Sequence, residues 1–359
     1  MLTFTPMRPM AVIVLAAGFV QAHPAGHGNH EAELAQQERQ QDRRPRQMEA
    51  AELPAPEVSI TIEGDHRVIR SNGLPAHETG AFPNQGNPNA LRAQTHEYRV
   101  PLHPKVAAQP TPARPEFGIG VNGVVFDSGT GEFWTASSPR TFGGGSEWNY
   151  EALGGGVPLG LDMNHAHVQP TGKYHYHGVP TGLLDELVSH DHEHNHEHSG
   201  DAHSHAVMER MIQIGWAFDG FPIYGPYGYT DANDANSQVH KLRSSYQLKE
   251  GERPTPPDGP GKAYDGTFGA DYEYVEGSGD LDECNGRFGV TPEFPEGTYY
   301  YVVTEEFPSI PRMWRGTPDE SIRSRRGGPP PGGENGERPR GQRRGERGQR
   351  PPQGRRPDR

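Results

Sequence analysis

The sequence predicts a mainly β fold, an antiparallel sandwich- or barrel-like domain with long Gly/Pro-rich loops. Three observations predict it. Gly and Pro number 47 and 36 among 359 residues, and they fall as turn punctuation between short apolar runs. Only 31% of residues are hydrophobic, which is poor material for a helical bundle or a multi-span membrane protein. All 14 Tyr and all 4 Trp lie between residues 57 and 322, and aromatics of this kind build β cores.

Residues 1–22 read as a secretory signal peptide, with Arg8 ahead of an apolar run from Met10 to Val20 and a cleavage site after Ala22. The mature chain is therefore expected outside the cytoplasm, secreted or periplasmic. That run is well short of the ~20 residues a membrane span needs, and no later stretch comes closer, so no span is expected in the mature protein. Residues 23–56 are polar with few large apolar side chains, as a disordered linker is. The folded body is expected over residues 57–322, opening at Val58-Ser-Ile-Thr-Ile, where apolar residues alternate at period two. Strands are expected over residues 120–126, 165–169, 173–177, 214–218 and 298–304, and a single helix over residues 206–214.

Residues 323–359 form an Arg/Gly/Pro-rich tail, read as disordered. It holds 12 Arg against 4 acidic residues, whereas the whole chain has a formal net charge of -13. The body is thus strongly acidic, a poor match for a nucleic-acid backbone. The basic tail suits attraction to an anionic polysaccharide. The one cysteine, Cys284, excludes an intramolecular disulfide. No Gly-x-Ser-x-Gly elbow or P-loop is present, and residues 280–286 put Asn rather than Gly at the sixth position of a calcium loop.

The chemistry concentrates in Asp162-Met-Asn-His-Ala-His-Val-Gln-Pro-Thr-Gly-Lys-Tyr-His-Tyr-His. It carries two His-x-His pairs, His165/His167 and His175/His177. On a strand, residues i and i+2 project from one face, so each pair aims two imidazoles in one direction. Gln169-Pro-Thr-Gly172 between them has the composition of a turn that folds the strands into a hairpin. Four imidazoles on one hairpin face are expected to bind a transition metal, Cu or Zn. Asp162, Asn164 and Asp219 are candidate extra ligands or partners that orient the imidazoles. The alternative for these histidines is a structural role, bonding to Tyr174, Tyr176 and backbone. A second cluster over residues 190–205 has seven His, His190, His192, His194, His196, His198, His203 and His205. It reads as a low-complexity loop binding metal loosely.

The segment from His165 to His177 resembles the defining stretch of the YHYH family, named for its Tyr-His-Tyr-His motif. Further stretches resemble the family in the same order: Gly120-Val-Asn-Gly-Val-Val-Phe, Trp148-Asn-Tyr-Glu-Ala-Leu, Gly215-Trp-Ala-Phe-Asp-Gly-Phe-Pro-Ile-Tyr-Gly, Leu281-Asp-Glu-Cys-Asn-Gly and Thr291-Pro-Glu-Phe-Pro-Glu-Gly-Thr-Tyr. The resemblance covers residues 116–318 and implies an exported bacterial domain without an assigned reaction. Two functions follow from the residues. One is an exported metal-binding domain, with catalysis undecided. The other is a cell-surface or matrix module that binds glycans or polyanions and uses its His structurally.

Overall fold

The alternating run at Val58 becomes β1 (Val58–Glu63), which pairs antiparallel with β2 (His66–Ser71); β2 in turn pairs with β3 (His96–Pro101). The computed structural model describes residues 53–113, 116–194 and 209–324. The expected signal peptide, most of the linker and nearly all of the Arg-rich tail lie outside the described residues. In chain order follow β4 (Val106–Pro112), β5 (Glu116–Gly120), β6 (Val125–Asp127), β7 (Glu132–Thr135), β8 (Ser138–Phe142), β9 (Ala166–Val168) and β10 (Tyr174–Tyr176). After a helix come β11 (Gln213–Ala217), β12 (Pro222–Tyr224), β13 (Tyr227–Tyr229), β14 (Val239–Lys241), β15 (Tyr246–Leu248), β16 (Tyr272–Tyr274), β17 (Gly286–Gly289), β18 (Thr298–Val302) and β19 (Met313–Gly316).

Eight strands form the principal sheet in the order β17-β18-β12-β11-β5-β6-β10-β9. The fold is mainly β, with several antiparallel sheets and no closed barrel among the described residues. The three-stranded sheet shares one core with the principal sheet. Ile69, Tyr98 and Val100 cluster with Phe117, Ile119, Ala217 and Phe218, and the Tyr98 and Phe218 rings stack at 4.8 Å. Full burial of each such side chain contributes about 1.5–3 kcal/mol.

Two pairings in the principal sheet, β6 with β10 and β12 with β18, are parallel. A parallel neighbour cannot be reached by a tight turn, so the chain must make a long excursion first. The excursion between β6 and β10 holds the β7–β8 hairpin and β9, and it delivers the side chains of the candidate site.

Two expectations are corrected. Residues 120–126 are not one strand, because Gly123, at φ +78°, turns the chain between β5 and β6. The expected helix over residues 206–214 is also displaced. The helix α1 spans Thr181–His194, and Gln213 already begins β11. The overlooked signal is Leu183, Leu184 and Val188, which are spaced for one helix face and are all buried. A five-residue helix, α2 (Glu320–Ser324), closes the described chain. His190, His192 and His194 fall in the last turns of α1, with their side chains outside the described residues. His196, His198, His203 and His205 lie outside the described residues.

Candidate metal centre

The hairpin expected from Gln169-Pro-Thr-Gly172 forms: Gly172 N donates to Gln169 O at 2.8 Å, and β9 pairs antiparallel with β10. The register puts His167 directly opposite His175 and Ala166 opposite Tyr176. His177 is two residues beyond His175 and projects from the same face. The three rings close into a triangle, with centroids 4.6 Å apart for His167 and His175, 4.9 Å for His167 and His177, and 4.7 Å for His175 and His177. One nitrogen from each ring lies within 4.8 Å of the other two.

His165 does not join them. Its backbone sits at φ +52°, in the left-handed region rather than in a strand, and β9 starts one residue later. Asp162 causes this. Its carbonyl accepts from His165 N at 3.1 Å, and its Oδ1 accepts from Asn164 N at 2.9 Å and Ala166 N at 3.3 Å. The result is a carboxylate-capped turn. The His165 ring is carried away to bond Val179 O through Nδ1 at 2.9 Å.

The other candidate partners also lie elsewhere. Asp162 Oδ2 accepts from Tyr174 Oη at 2.7 Å and Gly80 N at 3.0 Å. Asn164 bonds the start of α1, its Oδ1 accepting from Gly182 N at 2.8 Å. Asp219 is fully buried, accepting from Tyr301 Oη at 2.5 Å and Gly316 N at 2.7 Å. Asp162 and Asp219 stand outside the histidine group.

The hydrogen bonds of the triangle decide which nitrogen of each ring is available. His167 Nδ1 meets Leu159 O at 2.8 Å, and His175 Nδ1 meets Lys173 O at 3.3 Å. The His177 ring donates to the main chain of Asp127. A carbonyl accepts only from N–H, so these contacts put the ring protons on the outward nitrogens and leave lone pairs facing inward. His167 Nε2 and His177 Nε2 then stand 3.2 Å apart with no proton to share. Two facing lone pairs repel, and an unsatisfied buried polar group costs about 1–3 kcal/mol. A cation between them removes the conflict. A tetrahedral ion with Zn–N bonds of 2.0–2.1 Å separates its nitrogen ligands by roughly 3.3 Å. The chemistry and spacing of the three imidazoles therefore fit a transition metal.

Burial reinforces the assignment. His175 and His177 are 2% and 4% exposed, and this desolvation holds both well below the ordinary His range; His175 is lowered further by the His177 and His167 rings, and His177 by the His167 ring. His167, half-buried, is also lowered by burial. All three are thus kept neutral, the form that ligates a metal.

The triangle opens into a pocket of about 520 Å³ lined also by Asp127, Glu132, Arg140, Phe142 and Leu159. Glu132 is buried and pairs with Arg140 at 2.9 Å. Phe142 is 73% exposed. Burial pushes Asp127 up to about 6. Sequence reading missed these wall residues, since Glu132 and Arg140 carry no spacing signal. Asp127 likewise falls one residue beyond the expected strand over residues 120–126. On the opposite face of β10, Tyr176 Oη meets His77 Nε2 at 2.6 Å and accepts from Asn122 Nδ2 at 2.9 Å. The motif therefore alternates a histidine face with a fully bonded tyrosine face.

The family described as YHYH protein matches residues 97–316. The chain belongs to the YHYH family. The match starts ahead of the expected residue 116, so β4 and all of β3 but His96 fall within the YHYH domain, and it ends two residues before the expected 318. No curated protein and no solved structure matches the chain.

Proposed function

We propose that this YHYH protein is an exported metal-binding protein that holds copper or zinc through His167, His175 and His177. The carrying observation is the set of three imidazoles whose outward nitrogens are committed to backbone carbonyls while the inward nitrogens face one another. Three protein ligands, with a pocket beside them, leave a coordination position for water or a small molecule, the arrangement that distinguishes reactive sites from closed structural ones. A bound ion would supply Lewis acidity there. Export rests on the leader at residues 1–22, and the Arg-rich tail adds screened attraction to anionic polysaccharides; both belong to this proposal.

The test is thermal unfolding of protein purified without a nickel column, with and without chelator. A ligand present at 1,000 times its Kd adds about 4 kcal/mol, equivalent to a shift of roughly 8–16 °C for a body of this size. Identical melting with and without chelator, in protein that elemental analysis shows to be loaded, contradicts the reading.

A further inference from the structure

We propose that residues 84–89, which precede the family-matched region, are a built part of the metal centre, and that Asn87 is a positioning residue for His167. The geometry starts from an exposed problem. β9 is the edge of the principal sheet and only three residues long, so the strand that carries His167 has one partner strand and one bare side. Residues 84–89 cover that side.

Asn87 is 3% exposed. Its Nδ2 donates to Val168 O at 2.9 Å, and its Oδ1 accepts from Asn89 N at 3.0 Å. Both ends of the amide are thus committed. The turn that presents it is tight, with Asn84 Oδ1 accepting from Gly86 N at 3.0 Å and Asn87 N at 2.9 Å. Asn84 Nδ2 donates to Gly160 O at 2.9 Å. The approach there leaves no room for side chains: a Cβ on Gly86 would lie 2.5 Å from Gly160 N.

These contacts grip the two backbone pieces that set the His167 ring. One is Val168, the next residue in the strand. The other is Gly160, next to Leu159, whose carbonyl receives His167 Nδ1. The segment thus holds the ring and its proton acceptor at a fixed separation. An acceptor so fixed selects the Nδ1–H tautomer and leaves Nε2 turned towards His177. Gly86, Asn87, Pro88 and Asn89 also line the pocket.

The test uses the full chain in two readouts, of which only the second rests on the metal-centre reading. The first is the imidazole ¹⁵N spectrum of metal-free protein, which reports the His167 tautomer. The second is a Co²⁺ titration followed by visible absorption. Asn87→Ala is expected to mix the His167 tautomers and to weaken Co²⁺ binding about 10- to 100-fold, with an unchanged far-ultraviolet dichroism spectrum. Gln94→Ala, which removes an exposed bond to Thr171 O at the hairpin turn, is expected to change neither readout. If Asn87→Ala fails to fold, Asn87→Asp keeps the acceptor for Asn89 N, replaces the donor to Val168 O with a charged acceptor, and is read the same way. Wild-type tautomer and Co²⁺ affinity in the folded Asn87 variant overturn the proposal. A tautomer change in a protein whose wild type takes up no Co²⁺ upholds the positioning role and defeats the metal reading instead.

Discussion

The two His-x-His pairs have the same spacing and different fates. His175 and His177 point together because Tyr174–Tyr176 is a strand with neighbours on both sides, β9 and β6. His165 and His167 diverge because the chain between them changes from a turn to a strand. Spacing of two aims side chains together only where both residues have extended backbone. At His165 the Asp162 carboxylate, bonded to the amides of Asn164 and Ala166, imposes the left-handed conformation instead. The centre is therefore built from one and a half pairs.

That contrast can be broken at its cause. Asp162→Ala removes the cap of the turn together with the acceptor for Tyr174 Oη and Gly80 N. With several buried partners left unsatisfied, the loss is expected to be about 3 kcal/mol or more, read as a fall in Tm of roughly 6–12 °C in the metal-free protein. A variant melting within a degree of wild type would show that the Asp162 bonds do not stabilise the turn.

A smaller effect sharpens the contrast between buried and solvated imidazoles. Burial depresses the proton affinity of His175 and His177, so protons do not compete for their inward nitrogens as the pH falls through ~6.5, where an ordinary imidazole half-protonates. Three solvated ligands would lose about 50-fold in affinity between pH 7.5 and 6.0. The triangle is expected to lose less than about threefold, measured by competition with a chelator of known pH dependence. A solvated-type loss would mean that the rings are accessible to protons when the metal leaves.

The sequence made the hairpin, its turn and the alternation of His and Tyr faces legible, because each depends on residues close in the chain. The family relationship was legible for the same reason, through short motifs in order. The position of His165 was partly legible. Asp162-Met-Asn has turn composition, which competes with the strand pattern at His165. What could not be read is the long-range part. Asp127 and Glu132 follow from the parallel pairing of β6 with β10, Leu159 O comes from the loop before β9, and Asn87 reaches the site from before the matched domain. No spacing rule links these positions. The helix was misplaced because the acidic and His-rich composition after Val188 masked the apolar face of Leu183, Leu184 and Val188.

The most direct test of the three-histidine centre is the metal stoichiometry of five single variants, His165→Ala, His167→Ala, His175→Ala, His177→Ala and His194→Ala, each loaded with one equivalent of Zn²⁺ or Cu²⁺ and passed through a desalting column. His167, His175 and His177 variants are expected to lose the tightly held ion, with affinity down at least about 100-fold, more than the roughly 10- to 100-fold cost of losing an outer partner. The His165 and His194 variants are expected to retain it. Full retention in the His175 or His177 variant, or loss in the His165 variant equal to theirs, contradicts the account.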